Sequence, residues 1–214
     1  MPMQLVVVGA GGFGRETLDV VEAVNRSLPS PMFEVLGVLD SSPSDADLAR
    51  LAARGITFLG DEDAWLKSGS RAGYLVGVGS PEARRRIDAK FLSAGLVAAT
   101  VVHPAAILGS QVTLSEGVIV CSGVQVSTNV RLGRHVHLNP NSTIGHDSDL
   151  ADFVSINPAA TVSGAVTVQA GALVGAGSVI LQGLTIGADS IVGASACVVR
   201  SVPAGHVVRG VPAR

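Results

Sequence analysis

The sequence predicts two structural parts, a small α/β unit of the βαβ type and then a parallel β-solenoid of triangular cross-section. The solenoid is indicated by an aliphatic residue at every sixth position, seventeen times without interruption, from Val102 to Val198. A six-residue period fits neither an α-helix nor a pleated strand, and it is typical of a solenoid whose sides are single hexapeptides. The α/β unit is indicated by strand-like segments that alternate with helix-like segments ahead of His103.

The elements of the first part follow in order from hydrophobic periodicity and turn residues. Strands are expected at 4–8, 33–39, 74–78 and 96–101, with a short one at 56–59, and helices at 13–27, 45–54, 61–67 and 81–94. His103 and Pro104 lead into the repeats, which reach about Val202, and a segment rich in Gly and Pro follows. The expected divisions are therefore a βαβ domain at 1–98, a β-helix domain at 99–202 and a tail at 203–214.

Composition narrows the class of function. Apolar residues make up 47% of the chain and aromatic residues 3%, which suits a narrow solenoid filled by Val, Leu and Ile. A net charge of −2 gives no electrostatic case for binding nucleic acid or an anionic membrane surface, and no apolar run is long enough to span a membrane. The segment MPMQLVVVGA predicts a buried strand and not a signal peptide. With Cys121 and Cys197 as small buried thiols, a cytoplasmic protein is expected.

A glycine-rich loop stands between the first strand and the first helix. In VVVGAGGFGRE the residues Gly9, Gly11 and Gly14 form the pattern G-x-G-x-x-G, and the helix that follows offers unpaired N–H groups to a phosphate. Asp40 ends the second strand, where its carboxylate can accept hydrogen bonds from a ribose or a base. The loop predicts nucleotide binding, although a tight turn without a ligand would have the same sequence. The domain is too short for a complete dinucleotide fold, which favours a mononucleotide or a nucleotide-linked substrate.

The spacing of the histidines argues against a metal site. Neighbouring coils bring residues eighteen apart into register, and no interval among His103, His135, His137 and His146 is near a multiple of eighteen. His206 is near such a multiple from His135, but it lies in the tail. No metal is therefore expected, and a metal-dependent solenoid enzyme such as a carbonic anhydrase is disfavoured. His135 and His137 are expected to be surface or interface residues.

His146 differs from the other histidines in its setting. It follows Gly145 in TIGHDSDL and is expected to face outward at a coil edge, with Asp147 beside it. Imidazole is the usual general base for activating an amine or a hydroxyl near neutral pH, and a carboxylate can fix its tautomer. An exposed histidine beside a surface aspartate would look the same, so the residues alone leave both interpretations open.

Together these segments resemble the nucleotide-sugar acetyltransferases of the sialic-acid O-acetyltransferase type, a family that includes enzymes that N-acetylate UDP-4-amino sugars. The similarity covers essentially the whole chain. The repeat resembles the left-handed β-helix acyltransferases in general, and the glycine loop with Gly-His-Asp narrows it to this family. The matching segments are VVVGAGGFGRE, VLGVLD, VGVGSPEARRRI, VVHPAA, STIGHDSDLADFVSINPAATVSGAV, LVGAGSVI and RGVPAR.

The resemblance implies a left-handed parallel β-helix and transfer of acetyl from acetyl-CoA to the amine of a UDP-linked 4-amino sugar. His146 would be the general base, Asp147 would orient it, and a backbone N–H near Gly164 would stabilise the oxyanion. Acetyl-CoA would lie in a groove between subunits of a homotrimer, against stacked small residues. The implied cofactor contacts are Ser155, Gly164, Ala176, Ala194 and Arg209, with Arg214 a further basic group. The implied substrate contacts are Gly9, Gly11, Gly12, Phe13, Gly14, Asp40 and Arg84.

Two positions depart from the family pattern. Many members carry a second histidine nine residues after the catalytic one, where this chain has Ser155, and many have a histidine in the glycine loop where it has Phe13. Ser155 can donate a hydrogen bond but cannot be a second base. Two alternatives therefore stand beside the N-acetyltransferase: a sugar O-acetyltransferase acting on sialic acid or another glycan precursor, and a non-catalytic trimeric scaffold that binds a nucleotide sugar.

Overall fold

The structure is a computed structural model that describes residues 1–214. The chain divides into two compact units, residues 1–101 and residues 102–214. None of its helices combines the length and the apolar character that crossing a membrane requires.

The first unit is a three-stranded parallel sheet with helices in its connections. Its elements are β1 (Met3–Val8), α1 (Gly12–Ser27), β2 (Phe33–Leu39), α2 (Asp45–Ala53), α3 (Glu62–Lys67), β3 (Gly73–Val76) and α4 (Pro81–Ser93). The strand order is β2-β1-β3, and β1 pairs in parallel with both neighbours. Parallel neighbours need crossover connections, which α1 provides from β1 to β2 and α2 with α3 provide from β2 to β3. The short strand predicted at 56–59 is reduced to one isolated bridge at Phe58, and the strand predicted at 96–101 is reduced to a bridge at Ala98 and to Val101, which begins β4.

Burial explains the central place of β1. Its residues from Leu5 to Val8 are completely buried, and such continuous apolar runs are typical of a parallel strand covered on both faces. On one side, the rings of Tyr74 and Phe91 lie 4.7 Å apart and Trp65 stacks on Phe91 at 6.0 Å. The Tyr74 hydroxyl donates a 2.5 Å hydrogen bond to Asp88, so that this polar end is also satisfied within the core.

The second unit is a parallel β-solenoid of two-residue strands. In chain order these are β4 (Val101–Val102), β5 (Ile107–Leu108), β6 (Thr113–Leu114), β7 (Ile119–Val120), β8 (Gln125–Val126), β9 (Arg131–Leu132), β10 (His137–Leu138), β11 (Thr143–Ile144), β12 (Asp149–Leu150), β13 (Ser155–Ile156), β14 (Thr161–Val162), β15 (Thr167–Val168), β16 (Leu173–Val174), β17 (Val179–Ile180), β18 (Thr185–Ile186), β19 (Ile191–Val192), β20 (Cys197–Val198) and β21 (Val207–Val208).

Three sheets form the three sides of the solenoid. The first side is β21-β19-β16-β13-β10-β7-β4, the second is β20-β17-β14-β11-β8-β5, and the third is β18-β15-β12-β9-β6. Paired residues are eighteen apart, as in Thr143 with Thr161, so one coil is three hexapeptides. The sixth-position aliphatic residues from Leu132 to Val192 are completely buried, which confirms the predicted filling. This architecture is consistent with the left-handed β-helix that the sequence predicts.

Each side ends at a two-residue corner, and the second corner residue has a positive φ. Asn129, Asp147 and Ala165 stand one above another at the corner between the second and third sides, with φ of 57°, 57° and 54°. Asn and Asp tolerate this left-handed conformation better than other side chains. Beyond Val202 the coil continues through β21, which pairs with β19, and Ala213 N–H donates to the Cys197 carbonyl.

Candidate active site

His146 lies at the corner between the second and third sides, where β11 ends. Its imidazole Nδ1 is 2.7 Å from Asp147 Oδ2, and about half of each side chain is exposed. The corner itself is fixed by the backbone ladder, because Asp147 N–H donates to the Thr128 carbonyl below and Ala165 N–H donates to the His146 carbonyl above. The expected outward position at a coil edge is thus what the structure has.

The contact with Asp147 determines which imidazole nitrogen can act as a base. A carboxylate only accepts hydrogen bonds. In the neutral ring, Nδ1 therefore carries the hydrogen and donates it in the hydrogen bond to Asp147. The lone pair is then on Nε2, at the opposite edge of the ring. A general base with its lone pair at a solvent-reached corner and a carboxylate behind it can accept a proton and hold the resulting positive charge.

A third residue, Asn129, holds the carboxylate from the coil below. Its side-chain amide donates a 3.0 Å hydrogen bond to Asp147 Oδ1, so each carboxylate oxygen has its own donor. The hydrogen bond that Asp147 accepts from His146, and then the one from Asn129, lower the pKa of Asp147. Asn129 was not singled out from the sequence, although it stands eighteen residues before Asp147, which is the coil spacing.

Gly164 lies directly against the imidazole, one coil above His146. A methyl group at its Cα would come 2.5 Å from Nε2 and 2.6 Å from Cε1, so only glycine leaves room for the ring in this position. We refer to Asn129, His146, Asp147 and Gly164 as the histidine cluster.

The backbone N–H of Gly164 donates no hydrogen bond within the chain. At the corner between the third and first sides, the corresponding N–H groups donate to side-chain acceptors. Arg134 N–H donates to Asp152 Oδ1 at 2.8 Å, and Ala188 N–H donates to Gln169 Oε1 at 3.0 Å. The N–H of the first corner residue therefore points away from the backbone hydrogen bonds that join the coils, and an acceptor other than a backbone carbonyl can reach it. The role of Gly164 as an oxyanion donor stays a prediction, with this geometry compatible with it.

Three of the other implied cofactor contacts, Ala176, Ala194 and Arg209, lie at or near a different corner, between the first and second sides. Ala176 and Ala194 are exposed there, eighteen residues apart, on successive coils. Arg209 follows β21 and its Cβ lies next to Gly193, so its backbone is close to Ala194. We refer to Ala176, Ala194 and Arg209 as the alanine cluster. The expectation that Gly164 stacks with these alanines is wrong, because twelve residues separate Gly164 from Ala176, which is two sides of the triangle and not a full coil.

The first side, together with the corner before it, holds three polar residues that the sequence singled out: Ser155 and His137 are in strands, and His135 is at the corner. Ser155 is in β13, half a coil from His146, and pairs with His137 of β10. Ser155, His135 and His137 are all buried, so the expectation of surface positions for the two histidines is wrong. The His135 ring has room because Gly117 lacks a side chain beside it, and it stacks on Phe153 with ring centroids 5.6 Å apart.

In the first unit, two glycines of the loop are required by close backbone approach. A methyl group on Gly14 would overlap the Gly9 carbonyl oxygen, and one on Gly9 would lie 2.7 Å from the Gly77 carbonyl oxygen. Gly11 and Gly12 instead face open space, and Gly11 precedes α1 without a side-chain cap. Phe13 is half-buried in the first turn of α1. The uncapped start of this sixteen-residue helix is the part of the loop that can face a phosphate.

Asp40 supports this loop, and Arg84 supports the loop that follows β3. Asp40 Oδ2 accepts from Ala10 N–H and its Oδ1 accepts from Ser42 N–H, both at 2.8 Å. Arg84 is fully buried in α4, where its guanidinium donates to the carbonyls of Val78 and Gly79. Burial and then the nearby Arg85 lower the pKa of Arg84 to about 9. In this structure both side chains thus hold loop backbone at the carboxyl ends of the strands.

One cavity of the first unit does not coincide with these residues. A cavity of about 630 Å³ lies at the amino ends of the strands, among Met1, Met3, Arg71 and Leu96, and contains none of the residues predicted for the site. No group of three or more His, Cys, Asp or Glu side chains has an arrangement that could hold a metal ion.

Comparison with known proteins gives one domain family and several solved structures. Residues 4–91 match the PglD N-terminal domain family. Perosamine N-acetyltransferase from Caulobacter crescentus, solved as a histidine mutant with CoA and GDP-perosamine, is 29% identical, with a TM-score of 0.88, over 99% of this chain and 95% of that one. A comparison with curated proteins gave no match.

Two further solved structures are similar to this chain over nearly the full length of both proteins. The acetyltransferase domain of PglB from Neisseria gonorrhoeae, in complex with acetyl coenzyme A, is 26% identical with a TM-score of 0.87, covering 100% of this chain and 99% of that one. WeeI from Acinetobacter baumannii is also 26% identical, with a TM-score of 0.85 and 99% coverage of both chains. Residues 4–91 thus match the PglD N-terminal domain family, and over nearly its full length the chain is similar to sugar acetyltransferases of the hexapeptide-repeat family.

Proposed function

We propose that the protein transfers the acetyl group of acetyl-CoA to the amine of a nucleotide-linked 4-amino sugar, with His146 as the general base. The observation that carries the proposal is the pair of His146 and Asp147, which leaves the Nε2 lone pair at an exposed corner. The solved structures support it, since one relative holds CoA with GDP-perosamine and another holds acetyl coenzyme A.

The chemistry follows from the protonation state of the ring. As the acceptor nitrogen attacks the thioester carbonyl, Nε2 takes a proton from it and the imidazolium is stabilised by Asp147. The N–H of Gly164 donates to the oxygen that becomes negative. When the tetrahedral intermediate collapses, the C–S bond breaks and the thiolate of CoA takes up the proton from the imidazolium. The products are the amide and CoA, and His146 returns to its neutral form.

Two nucleotides are candidates for the acceptor, uridine diphosphate and guanosine diphosphate. The sequence predicts a UDP-linked 4-amino sugar, whereas the relative that is 29% identical was solved with GDP-perosamine. The uncapped start of α1, with Gly11 and Gly12 facing open space, suits the phosphates of either nucleotide. Both nucleotide classes therefore belong in the acceptor panel.

One assay tests the reaction and its main alternatives. The protein is incubated with acetyl-CoA and with UDP-linked 4-amino sugars, GDP-perosamine, free amino sugars and sialic acid, and products are identified by mass and by amide or ester linkage. We expect amide formation on a nucleotide-linked amino sugar, lowered by roughly a hundredfold or more in His146→Ala. Ester formation would establish the O-acetyltransferase instead, and the absence of transfer to every acceptor would favour a non-catalytic scaffold.

We also propose that the active protein is a homotrimer with its sites between subunits. Within one chain the histidine cluster and the alanine cluster lie at different corners of the triangle, at opposite edges of the second side. A groove between two neighbouring subunits would bring the histidine corner of one chain to the alanine corner of the next. The exposed apolar side chains of the last coils, Val179, Leu181, Ile191 and Val199, supply surface that such packing would cover.

A further inference from the structure

The carboxyl ends of the three strands in the first unit surround a cavity of about 190 Å³. Gly9 and Asp40 line it where β1 and β2 end, Val78 lines it after β3, and Arg86 and Lys90 of α4 form its basic side. Glu62, the first residue of α3, also lines the cavity. Ligands of open parallel sheets bind at this end of the strands, so the cavity adjoins the loop that can hold phosphates.

Glu62 differs from the other charged groups at this cavity. It is only 6% exposed, and no hydrogen bond or ion pair of the chain reaches its carboxylate. Asp40, the other acidic residue, has both oxygens satisfied by backbone N–H groups, and Lys90 is paired with Asp63 at 2.8 Å. Neither Glu62 oxygen is a fully buried atom without a partner, so water reaches the carboxylate through the cavity, and a ligand that displaces this water must supply N–H donors in its place.

The nucleobases differ in what they can offer to a carboxylate. Guanine presents two adjacent donors, N1–H and the N2 amino group, which match the two oxygens of one carboxylate. Uracil presents a single N–H between two carbonyl oxygens, so the second carboxylate oxygen would face an acceptor. Adenine presents an amino group beside an unprotonated ring nitrogen and meets the same conflict. Of the common bases, guanine alone satisfies Glu62 fully.

We infer that Glu62 selects guanine, so that the acceptor of this protein is a GDP-linked sugar. The inference rests on the proposed function for its sugar acceptor, but base recognition itself can be measured without acetyl transfer. Uracil and adenine nucleotides would leave one oxygen of a buried carboxylate facing a lone pair, which is a stronger ground for rejection than a missing contact.

The first test is direct binding of free nucleotides to the intact wild-type protein by titration calorimetry. We expect GDP to bind at least about tenfold more tightly than UDP or ADP. Inosine diphosphate keeps N1–H but lacks the N2 amino group, and we expect its affinity to lie between those of GDP and UDP. Equal or tighter binding of UDP, or no binding of GDP, would overturn the inference.

The second test replaces Glu62 by glutamine, which keeps the shape but presents an N–H in place of one acceptor. We expect Glu62→Gln to lower GDP affinity by about tenfold or more, to remove the difference between GDP and inosine diphosphate, and to leave UDP affinity nearly unchanged. Glu82→Gln is the matched control, because Glu82 is also in the first turn of a helix but is exposed outside the cavity. A merely structural Glu62 would change the thermal stability and leave the ratio of GDP to UDP affinity as in wild type, which would refute selection.

The outcomes separate this inference from the proposed reaction. Acetylation of a UDP-linked sugar without preference for GDP would retain the reaction and overturn guanine selection. Preferential GDP binding that Glu62→Gln abolishes, in a protein that transfers no acetyl group to any acceptor, would retain guanine selection and overturn the reaction.

Discussion

Gly164 occupies the position at which any side chain would collide with the proposed base. Its φ is not in the left-handed region, so alanine is compatible with the backbone, and the added methyl group would meet only the His146 ring at 2.5 Å. We expect Gly164→Ala to fold normally while the imidazole is displaced, and to lower kcat/KM by about a hundredfold. Ser110→Ala changes the equivalent position three coils below Gly164 and should retain activity. A fully active Gly164→Ala enzyme would contradict the placement of His146 as the base.

Asn129 positions the base through Asp147, and its contribution has a pH signature. Hydrogen bonds from His146 and Asn129 lower the pKa of Asp147, so these contacts are complete above the ordinary value of 3.8 and are lost as the pH falls through the lower folded value. Glycine keeps the positive φ of 57° and removes the amide. In Asn129→Gly the pKa of Asp147 should move up toward its ordinary value, as followed by an NMR titration of its side-chain carboxyl carbon.

The same variant should lower kcat by roughly threefold to tenfold, because one of the two donors that orient the carboxylate is lost. Gln111→Gly is the control, since Gln111 has the same left-handed conformation at the same corner, one coil below Asn129, and lies two coils from Asp147. If both variants shift the Asp147 titration equally, or if neither does, Asn129 is only a corner residue.

At the scale of the elements, the corners of the solenoid place residues other than glycine in the left-handed conformation, which is energetically unfavourable for them. Ala159 has φ of 57° at an exposed corner, where a residue with a Cβ costs roughly 1–2 kcal/mol relative to its preferred conformations. Glycine removes that cost and adds chain entropy of about 0.5–1 kcal/mol to the unfolded state. We expect Ala159→Gly to raise the free energy of unfolding by up to about 1 kcal/mol. Urea unfolding measures this change.

The neighbouring residue provides the control for that substitution. Ala160 is completely buried and does not have a positive φ, so Ala160→Gly loses apolar burial as well as chain rigidity. It should lower the free energy of unfolding by about 1 kcal/mol or more. A decrease of the same size in Ala159→Gly would show that the corner is not strained.

The same elements show why sequence analysis succeeded for some residues and failed for others. A constant coil of eighteen residues sets Gly164 above His146, so that adjacency follows from counting. Counting also excludes Gly164 from the stack of Ala176 and Ala194, because the twelve residues between Gly164 and Ala176 are two sides of the triangle and not a full coil. The burial of Glu62 could not be foreseen, because it depends on how α3 packs against the ends of the strands. No local pattern of residues encodes that packing.

At the scale of the whole molecule, the separation of the two clusters bears on assembly. His146 and Gly164 lie at the corner after the second side, and Ala176 and Ala194 lie at the corner before it. A site that uses both clusters within one chain would have to extend across the full second side. A site between two chains needs only that unlike corners meet, which is the heterologous contact that closes a cyclic trimer.

Mixing two inactive variants distinguishes a site within one chain from a site between two chains. His146→Ala removes the base, and Ala194→Trp fills the alanine cluster at an exposed corner. If sites form between subunits, trimers reassembled from an equal mixture should regain about a quarter of wild-type activity, because one subunit must supply His146 and its neighbour Ala194. Sedimentation of each variant and of the mixture verifies that all are trimers. Trimers that stay inactive after mixing would show that each chain supplies both clusters to its own site, and an active monomer would exclude a shared groove altogether.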